Sequence, residues 1–332
     1  MGAGTSRLQK GVSMDPTTAT GRWPRLEQQR HAVAVSVAVA TSTATVGGWT
    51  PNSAAAWTIV IAAIAVGLPH GALDVVIGPR HTKPQLFFGL YLAAVLGIVS
   101  MWIVAPAVCL VAFFLASWYH FARGDSVHHR DLDFAGVLSG VSTAGCAIGL
   151  PLMLHSGVVT PVLSDLMLGT TDLTSDRVAL FGSVIAVPSL VIGLVAGAAA
   201  LRSRRCSAAV EIVTIALVAA TVHPLVSFAI YFALWHAPRH LIALDIDRQG
   251  WRRALWATAG TLLVGAFVWR LVEPAGPAAA QVVFIGLAAL TGPHLALTEF
   301  LRSRPTTVVV SAGRIVHPSR GQPALPASTN RK

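Results

Sequence analysis

The chain reads as an all-α polytopic transmembrane helix bundle of about ten spans (eight to ten), and three observations predict this. Hydrophobic residues make up 54% of its 332 positions and charged residues only 11%, with a mean hydropathy of +0.65, far from the mixed make-up of soluble domains. Mostly apolar runs of about 18 residues or more recur along the sequence, the length a helix needs to cross a bilayer. The basic residues collect in the short segments between those runs. Every backbone polar group must be satisfied within lipid, so helices are the expected spanning element. The short alternating segments of a membrane barrel are absent.

Taken in order, residues 1–30 are polar and carry Arg7, Lys10, Arg22, Arg25 and Arg30. They read as a disordered cytoplasmic tail, and the first apolar run begins too late for a signal peptide. Spans are predicted at 31–48, 54–77, 86–104, 107–122, 134–154, 178–201, 208–222, 225–244, 254–272 and 279–300. The first is rich in Ser and Thr, and the seventh is short and carries Glu211. Residues 31–301 thus form a single transmembrane bundle without internal repeats. Residues 302–332, with Pro, Ser and Arg and no periodicity, read as a second disordered cytoplasmic tail.

The charges support an even number of spans. With both termini cytoplasmic, all but three of the 24 Lys and Arg residues fall on the inner side or in the tails. Arg177 and Arg270 lie outside, and Arg239 lies within a span. Losing one span would invert every later loop and destroy that asymmetry. The formal charge of +10 therefore reflects loops facing anionic lipid at the cell membrane, not a nucleic-acid surface. Cys109, Cys146 and Cys206 are scattered, so no disulfide framework or metal motif follows.

Ionisable residues inside spans are costly and mark function. Five of the twelve histidines fall there: His70 in GLPHGALD, His120 in SWYHFARGD, His236 and His240 in ALWHAPRHL, and His294 in TGPHLALTE. Their spans all run from outside to inside. Counted from the flanking arginines, the five lie within roughly 15 Å of one another in depth, so one bundle can bring them together. His236 and His240 share a helix face about 5–6 Å apart, a spacing that lets two imidazoles hold one metal. Neutral imidazole suits iron, copper, zinc or nickel. One buried histidine would as readily brace helices, but five at matched depth favour a common site. Pro238, four residues after Leu234, predicts a local kink.

Around them, Asp74 follows His70 by four residues and Glu299 follows His294 by five. Asp74 is placed to accept a metal-bound histidine's second N–H or to pair with Arg80. Arg239 is expected to snorkel to the interface or to find a carboxylate. Trp118, Tyr119, Phe121, Phe228, Tyr231, Phe232 and Trp235 cluster beside the histidines, as packing residues or as a substrate lining.

These motifs resemble the Brp/Blh family of membrane β-carotene 15,15'-dioxygenases. The resemblance lies in PHGALD (69–74), WYHF (118–121), WHxxRH (235–240) and PHxxxxE (293–299), in the family's order, over residues from about 54 to 301. It implies four histidine ligands, His70, His120, His236 and His240, on one non-haem Fe(2+), with His294 near the site. It also implies cleavage of β-carotene by O2 at its central double bond into two molecules of all-trans-retinal, which a retinal-binding protein could receive. Four imidazoles would leave the iron dicationic, unlike the two-His-one-carboxylate triad.

Other readings remain open from the residues alone. A membrane desaturase or hydroxylase needs more histidine boxes than the one HxxxH here, with His128 and His129 standing apart in a loop. A zinc hydrolase would fit the donors, but HExxH is missing. A histidine-ligated metal or proton transporter would be supported by inverted repeats, which are not seen. An opsin is excluded, because the only lysines are Lys10, Lys83 and Lys332 and none lies in a span.

Overall fold

A computed structural model of the protein describes residues 23–126, 134–243, 246–272 and 280–303. The segments 1–22 and 304–332, read as tails, and the histidine pair His128–His129 lie outside those residues. All elements among the described residues are helical. They are α1 (Trp23–Val46), α2 (Ser53–Gly67), α3 (Pro69–Ala72), α4 (Asp74–Ile77), α5 (Pro84–Val104), α6 (Pro106–Ser126), α7 (Phe134–Leu154) and α8 (Ser156–Leu166). There follow α9 (Ser175–Arg202), α10 (Cys206–Thr221), α11 (Pro224–Ile230), a π-helical turn (Tyr231–His236), α12 (Ala237–Ala243), α13 (Arg248–Val272), a second π turn (Gln281–Ile285) and α14 (Gly286–Ser303).

Each of the ten predicted spans overlaps helix, and among the described residues seven helical stretches are long and apolar enough to cross a membrane. The other three are α1, diluted by Ser and Thr, the shorter apolar α10, and the interrupted α11–α12. Residues 23–30, read as tail, are instead the first turns of α1. The predicted outer loop after residue 154 folds one further helix, α8.

Local chemistry sets the helix ends. Asn52 caps α2 by accepting from the Ala55 N–H at 2.8 Å, satisfying one of the orphan donors at a helix start. Pro84, Pro106 and Pro224 each open a helix, where a missing N–H does no harm. Lipid-facing surfaces are apolar and exposed: Leu180, Val184, Val187, Val191 and Leu194 make such a stripe along α9.

Inside, α7 and α9 pack closely because small residues face each other. A Cβ at Gly149 would meet the Ala186 nitrogen at 2.6 Å, and one at Gly182 would meet the Met153 nitrogen at 2.5 Å. This is how membrane helices gain contact without a hydrophobic driving force.

Two interruptions position the site. The span Ser53–Arg80 breaks at Leu68 and Leu73, beside Pro69. His70 lies between these two points, in α3, and is buried. In the second, the predicted kink near Pro238 takes the form of the π turn Tyr231–His236. Pro238 cannot donate to the Leu234 carbonyl one turn back. Arg30 of α1 donates to it instead, at 2.6 Å.

Candidate metal centre

The five intramembrane histidines meet. His70 comes from α3, His120 from α6, His236 from the π turn, His240 from α12 and His294 from α14. The His120 ring centroid is 4.9 Å from that of His236, 5.4 Å from His240 and 5.0 Å from His294. His70 lies 5.2 Å from His236, 5.6 Å from His240 and 5.4 Å from His294. His236 and His240 are 4.7 Å apart. His70, His120, His236 and His294 are buried, and His240 is half-buried.

Their nitrogens are arranged as donors to a metal require. In two overlapping groups, His70–His120–His294 and His120–His236–His240, one ring nitrogen per residue lies within 4.8 Å of the others. His120 belongs to both. Both ring nitrogens of His120 and His236, and Nε2 of His240 and of His294, are buried without a hydrogen-bond partner. Such orphaned polar atoms are expensive, and a shared cation would satisfy one nitrogen of each ring. The donor set is imidazole throughout, which fits a divalent transition metal. Gly124 gives the rings room, since a Cβ there would collide with His240 and lie 3.4 Å from His236 Cε1.

Around the rings the supporting contacts differ from several expectations. His70 Nδ1 contacts the Gly67 carbonyl. Asp74 serves neither His70 nor Arg80: it holds His294, with Nδ1 at 2.9 and 3.0 Å from its two oxygens, and Tyr91 donates to it at 3.2 Å. The Asp74 carboxylate is taken up by contacts with α14 and α5, not by the local i,i+4 spacing to His70.

Arg239 does not snorkel. It is buried, donates to Glu211 and lies 3.4 Å from Asp125 Oδ1, because two carboxylates face it inside the bundle. Asp125 also accepts from Tyr231 at 2.8 Å and lies 3.9 Å from His236 Nδ1. His31 Nδ1 sits 3.8 Å from Glu211. Glu299 is away from the rings, pairing with Arg302 at 2.6 Å and Arg123 at 4.0 Å. Asp125, Glu211 and Tyr91 were not legible as site residues, and Tyr231, read as packing or substrate lining, instead donates to Asp125. The only signal for Asp125 was its place five residues after His120, one helical turn and a half along the same span.

A cavity of about 750 Å³ opens from the histidines, lined by His70, His120, His236 and His294 and otherwise mostly by apolar side chains. It reaches Ser53, Pro224 and Ala280, at the ends of their helical stretches away from the rings, and Asp165 near the end of α8. At 1.5 Å per residue the stretch from Ala280 to His294 makes it about 20 Å deep. Of the seven aromatics near the histidines in sequence, Phe121, Phe228 and Phe232 line it. Trp118 instead donates to the Val141 carbonyl at 3.0 Å, Tyr119 is exposed, and Trp235 is buried in the core with Val60 and Val222. Helical rotation by one or two residues from a ring-bearing position carries these three away from the cavity. At the far end, burial pushes the Asp165 carboxyl above its ordinary range.

Residues 61–302 match the family described as β-carotene 15,15'-dioxygenase. The chain belongs to this family. The match contains all four motifs on which the resemblance rested. Among its relatives is a β-carotene 15,15'-dioxygenase of the uncultured marine bacterium 66A03, 29% identical over 265 residues, covering 74% of this chain and 93% of the relative. Another is the probable β-carotene 15,15'-dioxygenase Blh of Halobacterium salinarum, 25% identical over 287 residues, covering 73% of this chain and 83% of the relative. No solved structure matches the chain significantly.

Proposed function

We propose that the protein is an Fe(2+)-dependent membrane dioxygenase that adds both atoms of O2 across the central double bond of β-carotene, giving two molecules of all-trans-retinal. The observation that carries this is the convergence of buried, unpartnered imidazoles at one end of a long apolar cavity. Family membership and the names of the relatives support the substrate and the reaction class.

His70, His120, His236 and His240 would hold the ion. Bound there, iron(II) would supply the electrons that make O2 reactive toward a double bond. The chain's own part is positioning and exclusion. Phe228, Phe232, Phe284 and Leu287 line an apolar channel in which a polyene replaces no protein hydrogen bond with water. That channel is deep enough for half of the substrate, so its central bond comes to rest at the histidines. Val75, Tyr91, Ala257, Thr261 and Leu290 are half-buried and line the cavity from α4, α5, α13 and α14. Between these helices the other half could extend toward the lipid, from which so apolar a substrate would enter sideways. The closed packing of α7 against α9 keeps water from the opposite side. The asymmetry of basic residues supports both termini being cytoplasmic in a cell-membrane protein, and the released retinal would be available to a retinal-binding protein.

Expression in cells that make β-carotene tests the reading. The expected result is loss of colour with formation of retinal under air, and neither under anaerobic conditions or after iron is stripped from the purified protein. Cleavage that persists without O2 or iron would contradict it.

A further inference from the structure

Resting on the reading of the histidine cluster as an iron centre, the next question is what His294 does there. The four-histidine set leaves it out. Yet its geometry is that of the others. Asp74 meets its Nδ1 with both oxygens, at 2.9 and 3.0 Å, and Tyr91 donates to the same carboxylate from α5. The contact with Asp74 takes up Nδ1 of His294 and leaves Nε2 facing the other rings.

That Nε2 is buried and has no partner. It belongs with ring nitrogens of His70 and His120 to one group within 4.8 Å. His70 is oriented in the same manner, its Nδ1 held by the Gly67 carbonyl. Anchoring one ring nitrogen on a carboxylate or carbonyl while the other faces a metal is the usual arrangement around bound ions. If His294 were only a brace between α14 and α4, its bond to Asp74 would suffice, and nothing would favour burying a bare Nε2 beside two other imidazoles.

We propose that His294 is a fifth imidazole ligand of the same metal ion, and that Asp74 and Tyr91 are the positioning residues that aim it. Asp74 fixes the orientation of the ring by holding Nδ1 with both oxygens. Tyr91 keeps the carboxylate turned toward His294.

The test uses the purified full chain in detergent, loaded with Fe(II) or with Co(II). His294→Ala and Asp74→Asn are expected to lose iron to a competing chelator at concentrations about 10–100-fold lower than wild type does, and Tyr91→Phe a few-fold lower. In the Co(II) protein, His294→Ala should intensify the visible absorption, as a lower coordination number does, and added imidazole should reverse the change. Asp74→Glu should restore much of what Asp74→Asn loses. Wild-type affinity with an unchanged Co(II) spectrum in His294→Ala would overturn the proposal and leave a brace. Should His294→Ala fail to fold, the nearly isosteric Asp74→Asn decides by the same readings. A wild-type chain that binds neither metal would instead overturn the iron centre itself.

Discussion

Gly124 offers a direct test of how tightly the centre is built. It lies four residues after His120 in α6 and is buried. A methyl group added there would run into His240 and sit 3.4 Å from a ring carbon of His236. Neither neighbour is the free end of a flexible chain, because both are short rings on the π turn and α12. Forcing a methylene-sized group into such packing costs about 1–3 kcal/mol. The least resisting atoms are the two imidazoles, which the backbone of α6 cannot yield to. If the strain is relieved by displacing them, metal affinity falls by about 5- to 150-fold, since each 1.4 kcal/mol is tenfold. Iron per chain after dialysis against graded chelator measures this, with helix content by circular dichroism as the control for folding. Gly97→Ala is the matched comparison, because a Cβ there meets no atom within 4 Å, and it should leave iron retention unchanged. A folded Gly124→Ala protein with wild-type retention would refute the placement of His236 and His240 against α6.

Further outcomes follow from the same contacts. Arg239→Met should destabilise the protein by about 3–5 kcal/mol, because Asp125 and Glu211 would lose the buried guanidinium between them, and chemical unfolding in detergent would show it. Removing the Leu234 carbonyl's donor in Arg30→Met should cost about 1–3 kcal/mol, visible as a lowered unfolding midpoint. Ala147→Trp, which puts an indole into the cavity from α7, should leave iron content intact while slowing cleavage on the order of 100-fold through misplacement of the double bond. Equal loss of iron and cleavage in that variant would show that cavity and metal centre are not separable as described.

Much of the bundle was legible because lipid imposes strong rules. Apolar length and basic asymmetry predicted ten segments, each of which overlaps a helix, and the matched depth of five histidines predicted that they could converge. What was not legible depended on contacts between distant helices. The i,i+4 spacing of His70 and Asp74 suggested a pair, but Asp74 contacts His294, some 220 residues away in sequence. Pro238 announced a distortion at Leu234 without revealing that Arg30, in a segment that looked like a tail, supplies the missing donor. Arg239 seemed close enough to a helix end to reach water. Its carboxylate partners come from α6 and α10, and no local pattern links those three positions. Nor could composition tell which aromatics face the cavity, since that turns on single-residue rotation around each helix.

Elemental analysis of the purified wild-type protein and of His120→Ala tests the central claim most directly, because His120 is the ring shared by both ligand groups. One iron per wild-type chain, with none retained by a folded His120→Ala, is the predicted result. No iron in an actively cleaving wild-type protein, two irons per chain, or undiminished iron in His120→Ala would contradict it.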